Sequence, residues 1–373
     1  MNLKQTLAST LAFLVVGASA ISCGNSSSTA EDNAKNLSLS SNGKSATANC
    51  YIVSEAGAYK FQTVKGNSSE SVGRVAKAEV LWESFGTSTK PSVGALVLNA
   101  SYNDGYITFE TDSTFREGNA VIAAKDASGK ILWSWHIWLT DQPEGQPYYN
   151  NAGTMMDRNL GATSATPGDV GALGLLYQWG RKDPFLGSSS ISSSTVAQST
   201  ISWPSSVSST SSTGTVSYVT ANPTTFVTAS SFPCDWHYSS CNNTLWTTSD
   251  KTKSIYDPCP AGWRVPDGGG NGIWSKALGS SFSFIQRSLY NSSNEGMNFS
   301  GQFGSASTIW YPASGCRRDS DGGLGGVGIS GYCWSASPYS NEAHGLSLYD
   351  DGYVYPSSGH YRAYGQSVRC LQE

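Results

Sequence analysis

The sequence contains 373 residues, and only 13% of them are charged, about half the roughly 25% of an ordinary soluble domain. It holds 40 Gly, 12 Trp, 19 Tyr and 12 Phe, and its net charge is −4. The aromatic content excludes a disordered chain, the negative charge argues against nucleic-acid binding, and the scarcity of long Ala, Leu, Glu and Lys runs argues against a helical bundle. The composition therefore predicts an exported, β-rich protein.

Residues 1–20 have the pattern of a secretory signal. Lys4 supplies a positive charge, and residues 7–20 form a short apolar stretch that ends in small residues. This stretch is too short to span a bilayer, which takes about 20 apolar residues. A buried helix is the alternative, but nothing N-terminal to the stretch could cover it.

Two cleavage positions compete at the end of this signal. Residues 18–20 (ASA) fit ordinary signal peptidase, whereas residues 20–23 (AISC) resemble a bacterial lipobox with a diacylglycerol on Cys23. We favour lipidation, because Cys23 directly follows the apolar stretch. Residues 1–22 are then a lipoprotein signal peptide, and the Ser- and Asn-rich residues 23–46 are a polar tether. The expected location is the outer membrane or cell surface, with the membrane contacted through the lipid anchor.

Residues 47–142 are predicted to form a β-sandwich domain. Short β-rich runs alternate with Gly, Asn and Ser turns, at 49–65, 78–82, 93–100 and 106–110. Residues 119–139 predict a hairpin around a turn at 126–129. In its second strand Ser134, His136 and Trp138 share one face, while Trp133 and Trp135 share the other. We interpret His136 as a strand residue rather than a ligand, and residues 141–146 as a linker.

Residues 186–231 are a low-complexity insertion. They hold 17 Ser and 9 Thr and no charged residue. We expect a flexible or loosely packed surface segment. The alternatives are a loop that touches a ligand and a stretch that carries glycans.

Residues 148–373 predict a second domain of α+β type with much loop. Two segments, 174–180 and 272–280, could form short helices. Aromatic strands are predicted between Gly-rich turns, at 308–313, 331–336, 345–349, 353–355 and 365–371.

Five ordered motifs in this second domain resemble a known family. They are 156–162 (MDRNLGA), 174–185 (GLLYQWGRKDPF), 256–266 (YDPCPAGWRVP), 332–337 (YCWSAS) and 367–370 (SVRC). Together they resemble the Fibrobacter succinogenes major paralogous domain of surface lipoproteins, which implies a C-type-lectin-like fold. The N-terminal string 49–54 (NCYIVS) resembles the start of fimbrillin-like surface proteins.

The resemblance places Cys259 and Cys370 at the family's near-terminal disulfide, and Trp179, Trp263 and Trp334 at its aromatic core positions. The other expected disulfides are Cys316–Cys333 and Cys234–Cys241, which would leave Cys50 unpaired, although the sequence alone does not decide the connectivity. No cysteine pair has zinc spacing.

No recognisable catalytic or metal-binding motif is present, so we expect neither an enzyme nor a cofactor. The four His residues stand in no hydrolase or metalloprotease motif. The calcium-binding triplets of sugar-binding lectins are absent from their expected place. Cys316 and Cys333 could be mistaken for the reactive pair of formylglycine-generating enzymes, but their flanks favour a structural bridge. Asp319 and Asp321 alternate as cation ligands can, yet a solvated turn is the better interpretation.

A group of aromatic and polar residues in the expected long-loop region is the candidate ligand surface, because sugar rings pack on Tyr and Trp while nearby polar groups bind their hydroxyls. The candidates are Trp310, Tyr311, Arg317, Asp319, Asp321, Tyr339, Glu342, His344, Tyr349, Asp350 and Tyr353. We expect an adhesive or fimbria-associated surface lipoprotein that recognises a glycan or protein, with fimbrial subunits as possible partners. The first Arg, Arg74, lies inside the first domain, which favours a tip or accessory role over a stalk subunit. The alternative is glycan capture for polysaccharide use.

Overall fold

The computed structural model describes residues 33–229, 235–238 and 241–373. Within these ranges the chain is mostly β: the strands form six sheets, and every helical element is short. This confirms the mostly-β class that the composition predicts. None of the helices in the described ranges has the length and apolar character needed to cross a bilayer.

The first part of the chain forms two four-stranded sheets. Its strands are β1 (Lys35–Asn36), β2 (Cys50–Val53), β3 (Ala58–Gln62), β4 (Lys77–Ser84), β5 (Leu98–Asn103), β6 (Tyr106–Glu110), β7 (Gly118–Lys125) and β8 (Ile131–Leu139). The strand orders are β1-β3-β6-β5 and β2-β8-β7-β4. One hydrophobic cluster joins the two sheets, with Phe61 and Phe109 from the first and Ile122 and Trp135 from the second.

Residues 33–46, which the sequence assigned to the polar tether, fold onto the first sheet. β1 pairs in parallel with β3, and Lys35 lies opposite Tyr59. The hydroxyl of the buried Ser38 accepts a hydrogen bond from the Gln62 amide at 2.7 Å. The folded part of the chain therefore includes these residues, and the tether prediction is wrong for them.

The predicted hairpin of β7 and β8 is confirmed, with its turn closed by the Asp126 amide and the Lys130 carbonyl at 3.0 Å. Both faces of β8 are buried over most of its length. One face enters the cluster between the two sheets. The other meets the second part of the chain, where the Trp138 indole donates to the Ala162 carbonyl at 3.0 Å. The polar face of the strand is therefore an interface and not a solvent surface.

The second part of the chain has seventeen strands and two short α-helices among its described residues. They are β9 (Gly145–Tyr148), β10 (Gly153–Met156), β11 (Leu176–Gln178), β12 (Val207–Ser208), α1 (Val216–Ala221), β13 (Val227–Thr228), β14 (Trp263–Arg264), α2 (Ile273–Leu278), β15 (Phe284–Ile285), β16 (Tyr290–Asn291), β17 (Gly296–Asn298), β18 (Trp310–Pro312), β19 (Ser314–Arg317), β20 (Leu324–Val327), β21 (Ser330–Tyr339), β22 (Glu342–Tyr349), β23 (Tyr353–Tyr361), β24 (Gly365–Val368) and β25 (Leu371–Gln372). Single 3₁₀ turns lie at Val170–Ala172 and Arg287–Leu289.

One large sheet of eight strands dominates this part. Seven strands follow the order β11-β24-β19-β21-β22-β23-β15, and β20 pairs with β19. A smaller sheet has the order β14-β25-β10-β9, and the remaining strands form two small sheets, β16-β17-β18 and β12-β13. β25 is thus paired on both sides.

One of the two predicted helices is confirmed and the other is wrong. α2 lies within 272–280, whereas 174–180 contains β11. Gly174 and Gly180 adopt positive φ angles of 73° and 83°, which end the segment on both sides. Between them Leu176 pairs with Ser367 of β24, so long-range sheet pairing overrides the local preference.

The Ser/Thr-rich insertion packs against the rest of the protein over its described residues, 186–229. The Trp203 ring lies 5.5 Å from that of Trp82, and Val227 is completely buried. Thr200 and Glu83 exchange backbone and side-chain hydrogen bonds at 3.0 Å. Because Glu83 is on β4, the insertion covers the edge of the second sheet. The expectation of a loosely packed segment is wrong here, since the isolated hydrophobic residues of the insertion enter the core.

A single disulfide, Cys259–Cys370, joins positions 111 residues apart within the described chain, as the resemblance implies. The expected Cys316–Cys333 bridge is absent, and both residues are free thiols. Cys241 is a free thiol too, so the expected Cys234–Cys241 bridge is not formed; Cys234 itself lies outside the described residues.

Candidate ligand-binding cleft

The large sheet separates a packed face from a partly open one. On β22, Leu346 and Leu348 enter a hydrophobic cluster with Cys333 of β21. Since neighbouring residues of a strand point to opposite faces, Ser347 and Tyr349 lie on the other side. That second face is covered by another cluster near Trp334, but it opens beyond it.

A line of rings crosses β21, β22 and β23 on the open face. We call it the aromatic row: Tyr353, Tyr355, Tyr349, Tyr332 and His360. Neighbouring centroids are 6.1 Å apart for Tyr353–Tyr355, 5.9 Å for Tyr355–Tyr349, 6.0 Å for Tyr349–Tyr332 and 5.3 Å for Tyr332–His360. The last three contacts are edge-to-face, which fixes the ring orientations.

An open cleft of about 400 Å³ lies over part of this row. Its lining residues include Tyr332, Tyr349, His360, Tyr364, Cys316 and Gln366. The volume falls within the range of small-molecule sites. Rings and uncharged polar groups together form the kind of surface that can bind a ligand with both apolar and hydroxyl-bearing faces.

Gln366 is the most informative residue of the cleft. It sits on β24 and is 1% exposed, yet it belongs to the lining. Its Oε1 atom is buried and has no hydrogen-bond partner. Leaving a buried acceptor unpaired costs about 1–3 kcal/mol. A ligand that donates a hydrogen bond to this atom would recover that cost.

Three titratable groups of the cleft, His360, Cys316 and Tyr349, are uncharged at neutral pH. Burial lowers the pKa of His360 to about 4, and its Nε2 atom shares a hydrogen bond with the Ser347 hydroxyl at 2.8 Å. Burial raises the pKa of the Cys316 thiol to about 12. Burial, followed by a hydrogen bond with Tyr332, raises the pKa of Tyr349.

The charged groups nearest the cleft are occupied by one another. Arg318 lines the cleft and donates from Nη2 to Asp321 Oδ2 at 2.7 Å and from Nε to Oδ1 at 3.1 Å. The hydrogen bond from Arg318 is the main cause that lowers the pKa of Asp321. Burial raises the pKa of Asp319, and Tyr364 donates a hydrogen bond to this carboxylate.

The acidic turn that contains Asp319 and Asp321 has the character of a structural turn. Asp321 Oδ1 also accepts the Gly323 amide at 2.7 Å, so both carboxylate oxygens are occupied. Across the described part of the chain, no three His, Cys, Asp or Glu side chains come together as a metal site would require.

Among the predicted ligand residues, Tyr349 lines the cleft and Tyr353 stands at the end of the aromatic row. Asp350 lies in the exposed turn next to them, and its amide donates to the Ile329 carbonyl at 2.8 Å. The structure therefore brings these three together at one end of the sheet.

Tyr339, Glu342 and His344 form a separate group at the other end of β21 and β22. The Tyr339 and His344 rings are 4.6 Å apart, and Tyr339 is 52% exposed. Burial lowers the pKa of His344. Seven residues separate Tyr339 from Tyr332 along β21, which is roughly 20 Å at about 3.3 Å per residue. This group therefore does not belong to the cleft.

Three predicted ligand residues are structural instead. Trp310 and Tyr311 are 3% and 2% exposed, because β18 packs its aromatic rings into the core. The Tyr311 hydroxyl binds Tyr148 at 2.8 Å, and Arg369 lies 3.7 Å above its ring. Arg317 donates to the carbonyls of Leu186 at 2.9 Å and Gly322 at 2.8 Å, so it holds the start of the insertion.

Of the lining residues, the sequence-based ligand set contains only Tyr349, and those it missed include Tyr332, His360, Tyr364 and Gln366. Tyr332 stood in a recognised motif without an assigned role. Alternation along 345–349 and 353–355 could have shown which side chains share a face. The proximity of Gln366 had no local signal, because it depends on the pairing of β24 with β19 and β21.

A second group resembles a catalytic triad but is inaccessible. Cys50 and His136 are register partners on β2 and β8, and His136 Nε2 lies 2.8 Å from Asn119 Oδ1. All three residues are at most 2% exposed. Burial raises the pKa of Cys50 and lowers that of His136 to about 3, so the pair is thiol and neutral imidazole and lacks the reactive thiolate.

Lys182, Asp183 and Ser134 form a third buried group, at the same interface. Lys182 Nζ donates to Ser134 Oγ at 2.6 Å and to Asp183 Oδ1 at 2.7 Å. The side chains of Lys182 and Asp183 are 2% and 6% exposed. This network joins the two parts of the chain and offers a substrate no access.

The predicted lipidation residue, Cys23, lies outside the described residues. The three tryptophans that the resemblance places at aromatic core positions differ in burial: Trp179 and Trp334 are fully buried, and Trp263 is partly buried.

No protein-family model matches the sequence, and searches of curated proteins and of solved structures likewise found no match.

Proposed function

We propose that this protein is a ligand-recognition protein of the cell surface, anchored by a lipid on Cys23, with an adhesive or fimbria-associated role. The observation that carries the proposal is the open cleft over the aromatic row, with the buried acceptor of Gln366 in its lining. Rigid tyrosines beside uncharged polar groups suit binding. Nothing in the cleft supplies an activated nucleophile, so the proposed role is binding and not catalysis.

We propose further that the predicted β-sandwich of residues 47–142, extended by residues 33–46, is fimbrillin-like and that residues 148–373 form a C-type-lectin-like domain. The two four-stranded sheets with a common core support the first assignment. The Cys259–Cys370 disulfide and the buried Trp179 and Trp334 support the second. A tip or accessory position is favoured because β25 is paired on both sides and is not free to enter another subunit.

Adhesion of whole cells tests the recognition role. Cells that display the wild-type chain should adhere to a target surface, and Tyr332→Ala/Tyr349→Ala should reduce adhesion by at least tenfold at equal surface density. Tyr149→Ala is the matched control, because Tyr149 is 40% exposed and lies outside the cleft. Equal adhesion of all three strains contradicts the proposal.

Cell fractionation tests the anchor. Cys23→Ala should move the protein from the membrane fraction to the soluble fraction. A variant that stays membrane-bound refutes lipidation at this residue. An Arg-specific protease digest of intact cells tests the tip or accessory role, and release of an N-terminal peptide followed by polymerisation would contradict it.

Glycan capture that supports polysaccharide use is the second candidate function. The aromatic lining of the cleft favours it, because sugar rings pack on tyrosine rings. Binding to such polysaccharides but not to cells or pilins would select this function over adhesion.

A further inference from the structure

We propose that the cleft binds a neutral saccharide, one of whose hydroxyl groups donates a hydrogen bond to Gln366 Oε1 while a sugar ring packs against Tyr332 or Tyr349. This inference rests on the proposed recognition role and specifies the chemistry of the ligand. Three independent features lead to it: an unpaired buried acceptor, half-buried tyrosine rings in the lining, and the charge around the cleft.

The first feature determines what the ligand must donate. Gln366 lines the cleft and is 1% exposed, and its Oε1 atom is buried without a partner, so a ligand reaches this atom once the side chain turns towards the cleft. Native proteins rarely leave such an atom unpaired, and the exceptions call for an explanation such as a ligand or water. An amide oxygen can only accept, so the complementary ligand atom is a hydroxyl or N–H donor.

The second feature determines the shape of the ligand. The rings of Tyr332 and Tyr349 meet edge to face, at 87°, so the two present differently oriented surfaces to the cleft. A pyranose has one face of C–H groups and an edge of hydroxyls. It can place the C–H face on one ring while the hydroxyls reach Gln366 and His360.

The third feature disfavours an anionic ligand. The charged groups around the cleft include Arg318, Asp319 and Asp321, all in the loop after β19. Asp350 follows β22, and Arg287 contacts the same turn by donating to the Asp351 carbonyl at 3.3 Å. Arg318 is already paired with Asp321 through two hydrogen bonds. Carboxylates therefore outnumber cations, and His360 is neutral. A uronate, sialate or phosphate group would meet net repulsion from these carboxylates.

Gln366→Leu is the central test, because the proposal predicts that this variant binds the ligand more weakly without a loss of stability. Leucine has similar size and removes the unpaired acceptor, so the free protein should be at least as stable as the wild type. Binding should weaken about tenfold, the value of one hydrogen bond of roughly 1.4 kcal/mol. A merely structural role for Gln366 predicts the reverse, namely lower stability with unchanged affinity.

The probes are neutral cello-, xylo-, manno- and malto-oligosaccharides, with oligogalacturonate as the anionic counterpart, titrated by calorimetry into the full mature chain. We expect at least one neutral series to bind, with no heat from oligogalacturonate. Tyr349→Ala should abolish this binding, and Tyr149→Ala should leave it unchanged.

The outcomes separate the inference from the function on which it rests. Preference for oligogalacturonate, no binding to any neutral series, or unchanged affinity in Gln366→Leu overturns the inference. In each of these cases the recognition role still stands if Tyr332→Ala/Tyr349→Ala reduces cell adhesion. Where a neutral series binds, competition by the free oligosaccharide against cell adhesion identifies the source: inhibition indicates a cell-surface glycan, and its absence indicates a soluble polysaccharide.

Discussion

Cys316 and Cys333 lie on adjacent strands of one sheet, but their side chains point to opposite faces. β19 and β21 run parallel with Gly315 opposite Gly331, so Cys316 stands beside Tyr332 and not beside Cys333. Cys316 lines the cleft, whereas Cys333 is packed in the core below the sheet. A disulfide between them would have to pass through the sheet, which is why the pairing expected from the sequence does not form.

The first prediction concerns these thiols. Alkylation of the unreduced, denatured protein should label the peptides of Cys316 and Cys333 but not those of Cys259 and Cys370. In the native protein Cys333 should not react, and Cys316 should react slowly because its pKa of about 12 leaves little thiolate. Peptide mapping by mass spectrometry checks both statements. A linked Cys316–Cys333 peptide would contradict the described geometry.

The second prediction concerns the Cys259–Cys370 disulfide. The double variant Cys259→Ala/Cys370→Ala should lose about 5 kcal/mol of unfolding free energy, because the bridge closes a loop with a sequence separation of 111 residues. Urea unfolding under oxidising conditions measures the loss. Cys316→Ala, which removes a half-buried free thiol, should change the unfolding free energy far less. Equal losses in the two variants would argue against a stabilising bridge.

The third prediction concerns Glu83, a completely buried carboxylate on β4. Its Oε1 accepts the amides of Leu96 and Val97 at 2.8 Å, and its Oε2 accepts the amide of Gly94 at 2.6 Å. Glu83→Gln places an NH₂ group against backbone N–H donors, so it should cost about 3 kcal/mol. Glu79→Gln is the control on the same strand, and it should cost under about 1 kcal/mol because the Glu79 side chain is 43% exposed and solvent screens its ion pairs. Chemical denaturation of both variants decides the comparison.

The fourth prediction concerns acid sensitivity. Burial lowers the pKa of His136 to about 3, below its usual value of 6.5. At acidic pH the unfolded chain therefore binds a proton that the folded chain does not, and stability falls as the pH drops from about 6.5 towards 3. Between pH 7 and pH 4 this residue should remove about 3 kcal/mol.

His136→Gln isolates that contribution, because glutamine keeps a donor for Asn119 but does not titrate. The difference in unfolding free energy between pH 7 and pH 4 should be about 3 kcal/mol smaller in the variant. The raised pKa of Asp257, about 6, acts in the opposite direction in both proteins and cancels in the comparison. Identical pH profiles would show that His136 is protonated in the folded state.

Local patterns in the sequence predicted those parts of the fold that depend on neighbouring residues. The hairpin of β7 and β8 follows from alternation around the turn at 126–129, and α2 from a short segment that ends at Gly279. The helix predicted for residues 174–180 is wrong because this segment pairs as a strand with β24, nearly two hundred residues away. The prediction of a loosely packed insertion is wrong because its Ser and Thr composition does not show that Trp203 and Val227 have buried partners elsewhere in the chain.

The candidate site was predictable only in part, for a similar reason. Tyrosine and tryptophan serve equally well in a core and in a binding surface, so composition could not separate the buried Tyr311 from the cleft residue Tyr349. That distinction depends on which face of which strand each residue occupies. Gln366 has no aromatic or charged signature, and its unpaired oxygen becomes visible only once three strands are placed around it.

The disulfide between Cys259 and Cys370 has a mechanical consequence. All strands from β14 to β24, including those of the cleft, lie between these two positions. Tension applied along the chain passes from one sulfur to the other and does not enter the enclosed segment, which would otherwise extend by roughly 370 Å at about 3.3 Å per residue. A molecule pulled from its two ends can therefore lose its first two sheets while the strands around the cleft stay unloaded. Reduction of this single bond would restore the missing contour length.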